Sequence, residues 1–320
     1  MKKYSPFILF AFLGFALSSV KAQDTVLSEK NYKIYSVKDG KEVSLKDIVN
    51  DIKNYDVVFY GEEHDDSVTH FLEKSLLTAL YDKYNNTITL SMEMFERDIQ
   101  GVMDEYLIGA IREKYFKKDA RTWSNYKDYR PMVEFVKAKH LDLVCANAPG
   151  RYTSIAGSKG EKALEALPEW SKKNIAPLPY DTATGAYYEK LQAESGHMAP
   201  PPPSKNDTAK QKAPAMMMPA FDLVVAQSCW DATMAYSISE YLKTHKDKKV
   251  MQVNGRFHSD QGFAVVAQLK KYSPKTKILI ISTGSEDSFP NVDWSKLKQN
   301  GDYIIATDPK VPKTIKDKIN

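Results

Sequence analysis

The stretch VVFYGEEHDD, Val57–Asp66, decides the fold class. Four apolar or aromatic residues in succession are typical of a strand that is buried on both faces of a sheet. Gly61 ends this run, and five ionisable side chains follow it directly. A charged segment after a strand is often a solvated turn, in which Asp65 or Asp66 caps the next helix. The alternative is that these side chains form part of a binding or catalytic site.

The same pattern recurs near the other end of the chain. The stretch KVMQVNGRFHSD, Lys249–Asp260, again places an apolar run before a glycine, with a histidine three residues later and an aspartate two residues after that. His64 in the first copy therefore corresponds to His258 in the second. Loops at the carboxyl ends of parallel strands open onto one edge of the sheet, where ligands bind. We therefore expect both histidines at that edge.

Apolar runs alternate with helical patterns along most of the chain. This alternation predicts an α/β fold with a mostly parallel central sheet and helices on both faces. The predicted helices cover 67–84, 96–116, 220–245 and 262–272. The predicted strands are 32–36, 56–61, 87–92, 141–146, 249–254, 277–282 and 302–307.

Two segments interrupt this alternation. Helical patterns over about 160–195 predict a small helical subdomain, inserted between the third and fourth core strands. The segment from about 196 to 219 is rich in proline and polar residues and has few β-branched side chains. Because such a composition buries little apolar surface, we expect a flexible loop there.

The first 22 residues have the features of a secretory signal peptide: a basic start, an apolar stretch and small residues before a cleavage site. The mature chain is then residues 23–320, which we expect to form a single exported domain. Lys2, Lys3 and Lys21 lie in the predicted signal peptide, which holds no acidic residue, so the formal charge of +4 falls to near +1 on cleavage. That balance gives no support for nucleic-acid binding.

The sequence contains two cysteines, Cys145 and Cys229. An exported protein of this length with two cysteines is not a disulfide scaffold. Cys145 lies in an apolar strand pattern and Cys229 in a helical one, which favours two buried free thiols over one disulfide bridge.

Further polar residues follow the predicted strands at the same edge. Glu62 and Glu93 each come at a strand end, as does Asn147, although Glu93 and Asn147 are also suitable helix caps or turn formers. Histidines together with carboxylates are a suitable ligand set for Zn, Mn or Fe. The pattern therefore predicts a divalent metal held by Glu93 with His64 and His258.

One acidic residue lies within the helical pattern 220–245. Asp231 is on a partly apolar face, where a carboxylate needs a partner. We expect Asp231 to play a supporting role by orienting His64 or His258.

Five blocks of sequence in this order resemble the ChaN-like haem-binding uptake family. That family belongs to a superfamily with the Tiki and TraB proteins and the erythromycin esterases, marked by paired GxxH motifs. The blocks are VVFYGEEHDDSVTH, LSMEMFERDIQ, NAPGRYTSIAGSKG, AQSCWDATMA and VNGRFH. The resemblance implies an α/β sheet with a small helical subdomain. In enzymatic relatives the chemistry is carried by the residues that match Glu62, His64, Glu93 and His258.

The resemblance also implies a location and partners. Family members are associated with haem and iron acquisition in Gram-negative bacteria, often as lipoproteins, with outer-membrane haem uptake components as expected partners. This chain has no cysteine directly after its predicted signal peptide. We therefore expect a soluble periplasmic protein, with association with the outer membrane as the alternative. For haem binding we also expect a homodimer that closes over the ligand.

Haem needs an axial ligand, and His, Tyr and Met side chains can serve. The predicted helical subdomain offers Tyr180, Tyr187 and Tyr188, and the start of the proline-rich segment offers His197 and Met198. These five residues are the haem-binding candidates.

Three interpretations remain open from the sequence. The leading one is an exported haem-binding protein that acts in uptake or storage. The second is a metal-dependent or histidine-based hydrolase acting at the paired motifs, in which a metal or a histidine activates water. In the third, His64 and His258 only hold the loops together.

Overall fold

Residues 27–198 and 221–314 are described by a computed structural model, with the side chains of 194–198 excepted. The predicted signal peptide and the part of the predicted flexible loop that follows Met198 lie outside the described residues. Within them, eight strands form one sheet in the order β2-β1-β8-β7-β3-β6-β4-β5. The strands β1 to β8, in chain order, are Tyr32–Ser36, Lys41–Val43, Val57–Glu62, Ile88–Glu96, Leu143–Asn147, Lys249–Gly255, Ile278–Ser285 and Tyr303–Thr307.

The sheet is mostly parallel, as predicted. Strand β1 pairs antiparallel with β2 and β8, and the remaining neighbours pair in parallel. The helices of the described residues, α1 to α10, are Leu45–Asp51, Ser67–Tyr84, Gln100–Leu107, Glu113–Asp119, Tyr126–Lys139, Gly150–Lys159, Glu169–Lys172, Gly185–Met198, Leu223–Thr244 and Ala264–Tyr272.

Helices cover both faces of the sheet, and the alternation along β3 shows it. Val58 and Tyr60 are buried in the larger core cluster, which contains residues of α1, α2, α3 and α5. Val57 and Phe59 point to the other face and are buried against α9 and α10. All four side chains are at most 3 % exposed, so β3 is a fully buried central strand. The predicted fold class is confirmed.

The prediction of one continuous helix over 96–116 is wrong. The structure has a 3-10 turn at Arg97–Ile99, then α3, and then a break before α4. Gly109 in this break has a φ of +80°, a left-handed conformation that ends a helix. The long helix therefore becomes two short ones.

The inserted segment between β5 and β6 contains less helix than its pattern predicts. It has a 3-10 helix at Glu161–Ala166, the four-residue α7 and irregular chain before α8. Prolines at 168, 177 and 179 explain this, because proline lacks the N–H that a helix interior needs. Leu164, Ile175 and Tyr180 pack with Cys229 of α9 in one core cluster.

None of the helices within the described ranges is both long enough and apolar enough to cross a bilayer.

Candidate functional site

The two glycine–histidine motifs lie side by side. Strands β3 and β6 are adjacent and parallel, with Glu62 opposite Gly255. A Cβ atom on Gly255 would lie 2.8 Å from His64 Nε2, and a Cβ atom on Gly61 would lie 2.8 Å from Arg256 Cα. Both distances are shorter than real Cβ contacts. Each glycine therefore allows the residues of the other motif to approach its own strand.

The charged residues of the first motif have separate tasks. Arg256 Nη1, from the second motif, lies 3.2 Å from Glu63 Oε1 and so joins the two motifs by an ion pair. Asp66 is the N-cap of α2, where its side chain accepts hydrogen bonds from two backbone N–H groups of the first turn. The capping interpretation is thus right for Asp66, while His64 faces the site and Glu62 lies buried behind it.

His64 is held from behind by a buried carboxylate. Its Nδ1 lies 2.7 Å from Glu62 Oε1, which also accepts a 2.7 Å hydrogen bond from the Tyr129 hydroxyl. The ring meets Trp123 edge-on, with 5.2 Å between ring centroids. Burial lowers the pKa of His64, but the bond to Glu62 and the charges of Glu62 and Glu93 outweigh this and raise it to about 9. His64 is therefore protonated at neutral pH in the absence of a ligand.

His258 has its own carboxylate partners. Its Nδ1 lies 2.6 Å from Asp231 Oδ1, and its Nε2 lies 3.5 Å from Glu93 Oε1. Asp231 is buried and accepts a second hydrogen bond of 2.6 Å from the Tyr187 hydroxyl. Burial lowers the pKa of His258, but the charges of Glu93 and Asp231 raise it overall. Of the two histidines, the structure thus places Asp231 against His258, and its orienting role stays a prediction.

Both histidines line one cavity of about 340 Å³ at the carboxyl edge of the sheet. Trp123 and Trp230 also line it, as does Glu93, which accepts a 2.7 Å hydrogen bond from the Gly255 N–H. The remaining lining residues are Glu96, Asn147, Ala148, Gly150 and Gln227. Asn147 also forms the turn after β5, since its side chain accepts a hydrogen bond from the next N–H. The cavity thus combines aromatic surface with two imidazoles and two carboxylates.

Behind His64 lies a second group of titratable side chains that the sequence patterns did not identify. His70 and Glu73, three residues apart on α2, face Glu62 in the interior. Glu62 is 1 % exposed and Glu73 is 0 % exposed. Burial and the charge of Glu73 raise the pKa of Glu62 to about 7, and burial with nearby carboxylates raises that of Glu73 to about 8. The sequence signal for this group is that His70 and Glu73 lie three residues apart, on one face of the helix that follows the first motif.

Comparison with known proteins identifies the family. Residues 48–269 match the model of a family described as haem-binding uptake, Tiki superfamily, ChaN. This range covers more than half of the chain and includes both glycine–histidine motifs. The chain belongs to this family. The resemblance seen in the sequence is confirmed.

Solved structures show what this chain is similar to in fold. ChaN of Campylobacter jejuni, from a structure described as showing cofacial haem binding, has a TM-score of 0.62 at 18 % identity, over 88 % of this chain and 98 % of that chain. A succinoglycan biosynthesis protein has a TM-score of 0.45 at 14 % identity, over 75 % and 69 %. A mutant of the erythromycin esterase EreC in its open conformation has a TM-score of 0.45 at 10 % identity, over 87 % and 83 %. No curated protein matched this chain.

The haem candidates in this ChaN-family chain occupy different environments. Tyr180 is buried in the core cluster that contains Cys229, and Tyr187 is buried with its hydroxyl on Asp231. Tyr188 is 44 % exposed and is open to a ligand. The two other candidates lie at the end of α8, where side chains are outside the described part of the chain; they are His197 and Met198.

The structure brings only part of the predicted metal set together. Glu93 lies close to His258, but the ligand atoms of Glu93, His258 and His64 do not all lie within 4.8 Å of one another. In the described ranges, the one group of three that meets this distance is Glu62 with His70 and Glu73. A metal at His64, Glu93 and His258 stays a prediction.

The two cysteines, Cys145 and Cys229, are both buried and unbridged, as predicted.

Proposed function

We propose that this protein binds haem at the cavity between the two glycine–histidine motifs. The observation that carries the proposal is the family match over 48–269, a range that contains every residue of this cavity. Within the cavity, His64 combines a fixed orientation with access. Its side chain is 40 % exposed, whereas that of His258 is 8 % exposed.

The residues present fit a haem ligand set. Glu62 binds Nδ1 of His64, and Nε2 makes no hydrogen bond among the described residues, so Nε2 is left to bind iron once it loses its proton. A carboxylate behind an iron-bound imidazole fixes the ring and increases its basicity. Trp123 and Trp230 supply aromatic surface for a porphyrin face. When bound, the haem would supply the iron that His64 ligates.

Tyr188 is the second candidate ligand, because haem iron can also be held by tyrosine and this hydroxyl is accessible. The other predicted candidates, Tyr180 and Tyr187, would have to leave buried positions first.

A titration of residues 23–320 with haem tests the proposal. We expect a saturable shift of the Soret band at near-stoichiometric haem. A parent protein that stays folded and gives no such shift would contradict haem binding in this chain.

We further propose that the protein acts in haem uptake or storage in the periplasm, with outer-membrane uptake components as partners and as a homodimer that closes over the haem. The family membership and the predicted signal peptide support this role. Cell fractionation is expected to place the protein in the periplasm, and its deletion is expected to reduce growth on haem as the iron source.

A second candidate function is hydrolysis at the same cavity. It is favoured by the presence of two histidine–carboxylate pairs, His64 with Glu62 and His258 with Asp231, that face one space. The pKa of both histidines is raised, and that of His64 reaches about 9, so His64 would serve as a proton donor at neutral pH before it serves as a base. Ester and amide substrates screened with the parent and with His258→Asn test it. Turnover that is lost in the variant supports hydrolysis, and no turnover by the parent contradicts it.

A further inference from the structure

Glu62, His70 and Glu73 converge at a point behind the haem cavity. Glu62 comes from the end of β3, and His70 and Glu73 come from the first two turns of α2. His70 Nδ1 lies 3.3 Å from Glu62 Oε2 and 3.3 Å from Glu73 Oε2. All three side chains are buried, and one ligand atom from each lies within 4.8 Å of the other two.

The hydrogen bond on the far side of the His70 ring fixes its tautomer. His70 Nε2 lies 3.2 Å from the backbone carbonyl oxygen of His64. Because a carbonyl oxygen can only accept a hydrogen bond, Nε2 carries the proton. In the neutral ring, Nδ1 then carries a lone pair and can only accept. That lone pair faces two carboxylate oxygens, which are also acceptors. Three acceptors cannot satisfy one another, and a cation or added protons must lie between them.

Two oxygens of the cluster have no hydrogen-bond partner within the described ranges. They are Glu62 Oε2 and Glu73 Oε1, and both are inaccessible to solvent. The other oxygen of Glu62 is already occupied by His64 and by the Tyr129 hydroxyl. A buried carboxylate oxygen without a partner is costly, whereas a metal ion satisfies such oxygens directly.

We propose that Glu62, His70 and Glu73 bind one divalent first-row transition-metal ion. Imidazole nitrogen with carboxylate oxygen is a suitable ligand set for Zn(II), Mn(II) or Fe(II). The second N–H of His70 on a backbone carbonyl is the arrangement that metal-bound histidines usually show. This site is distinct from the cavity that holds His258.

A groove that is lined in part by His70 would give the ion a path toward this site. A space of about 660 Å³ lies along α2 and α5, and its lining includes His70 and Asp128. Asp128 Oδ2 is buried without a hydrogen-bond partner among the described residues, and it adds a carboxylate beside the path. Lys74 and Lys127 at the same groove keep its outer part from being purely acidic.

The ion would act on the haem cavity through Glu62. One oxygen of this carboxylate would bind the metal while the other holds His64 Nδ1. A bound cation would offset the buried negative charge of Glu62 and Glu73, so that Glu62 can keep its bond to His64 and hold that ring in place. The metal is thus a positioning element for the cavity.

Calorimetric titration with Zn(II), and separately with Mn(II), tests this site in the full folded protein after chelator treatment and dialysis. We expect one site per chain with at least one of the two ions. Glu73→Gln, which keeps the size of the side chain, is expected to weaken binding at least ~10-fold. Two matched controls remove an imidazole or a carboxylate outside the cluster. They are His245→Asn, remote from the cluster, and Glu189→Gln, exposed on α8. Both are expected to bind as the parent does.

The melting temperature gives a second readout that needs no measured affinity. The metal is expected to raise it in the parent and not in Glu73→Gln, because a ligand of the native state stabilises that state. A folded parent that binds neither ion would show that protons neutralise the cluster, and the proposal would be wrong. Binding lost in His258→Asn but kept in Glu73→Gln would move the metal to the cavity and equally overturn it. Neither readout involves haem, so the outcome is independent of haem binding.

Discussion

The charged residues after β3 divide between structure and site. Glu63 pairs with Arg256, Asp65 pairs with Lys313, and Asp66 caps α2. His64 lines the cavity, and Glu62 holds its ring from behind. A run of five ionisable residues thus needs no single explanation, because neighbouring side chains on a turn point in different directions.

The close approach of Arg256 to Gly61 gives a stability prediction. A Cβ on Gly61 meets the backbone of Arg256, which cannot move aside, so Gly61→Ala is expected to lower the free energy of unfolding by about 1–3 kcal/mol. Gly101→Ala is the control, because nothing lies within 4 Å of its Cβ position and it is inside α3. Urea unfolding measures both, and equal effects would show that the close approach of the motifs is not what requires Gly61.

The pair formed by Asp231 and His258 gives a pH prediction. Folding raises the pKa of His258 above its usual value of 6.5, so the pair stabilises the protein below that pH and the contribution is lost as pH rises through the folded-state pKa. Asp231→Asn removes one of the two charges that raise it. We expect the pKa of His258 to fall in this variant, followed by NMR titration of the ring. An unchanged value would mean that Glu93 alone sets it.

At the scale of elements, local patterns predicted most of the fold. Strand β3 and helix α2 are predictable because an apolar run, a glycine and a capping aspartate all lie within one short stretch. Helix α5 is less evident in the sequence, since it contains Pro131 and follows short elements without strong caps. It nevertheless supplies Tyr129, whose hydroxyl binds Glu62 67 residues away in sequence. Such a contact depends on how α5 packs on α2, which no local pattern specifies.

The cap of α2 is the element-scale prediction. Asp66→Ala removes the acceptor for two N–H groups and is expected to cost about 0.5–2 kcal/mol of unfolding free energy. Asp66→Asn keeps an acceptor and is expected to lose less. Thermal or urea unfolding checks the order of the two variants. Equal losses in the two variants would show that the negative charge of Asp66, rather than its capping bonds, is what matters.

At the scale of the whole molecule, the two thiols report on the integrity of the core. Burial raises the pKa of the Cys145 thiol well above its usual value and that of Cys229 to about 11. The cysteines lie in different core clusters, one in the sheet and one in α9. We expect no reaction with a thiol reagent in the native state and two thiols per chain in denaturant. Rapid reaction of one thiol under native conditions would show that its cluster opens separately.

The central claim is that the cavity between the two motifs holds haem through His64, and haem titration of matched variants tests it most directly. His64→Ala removes an imidazole from the cavity, and His245→Ala removes one from a distant helix end. We expect His64→Ala to weaken haem binding at least ~10-fold, equivalent to about 1.4 kcal/mol, or to shift its Soret band, while His245→Ala behaves as the parent does. If both variants bind haem with the affinity and spectrum of the parent, His64 is not the ligand, and haem binding must be sought at Tyr188 and the end of α8.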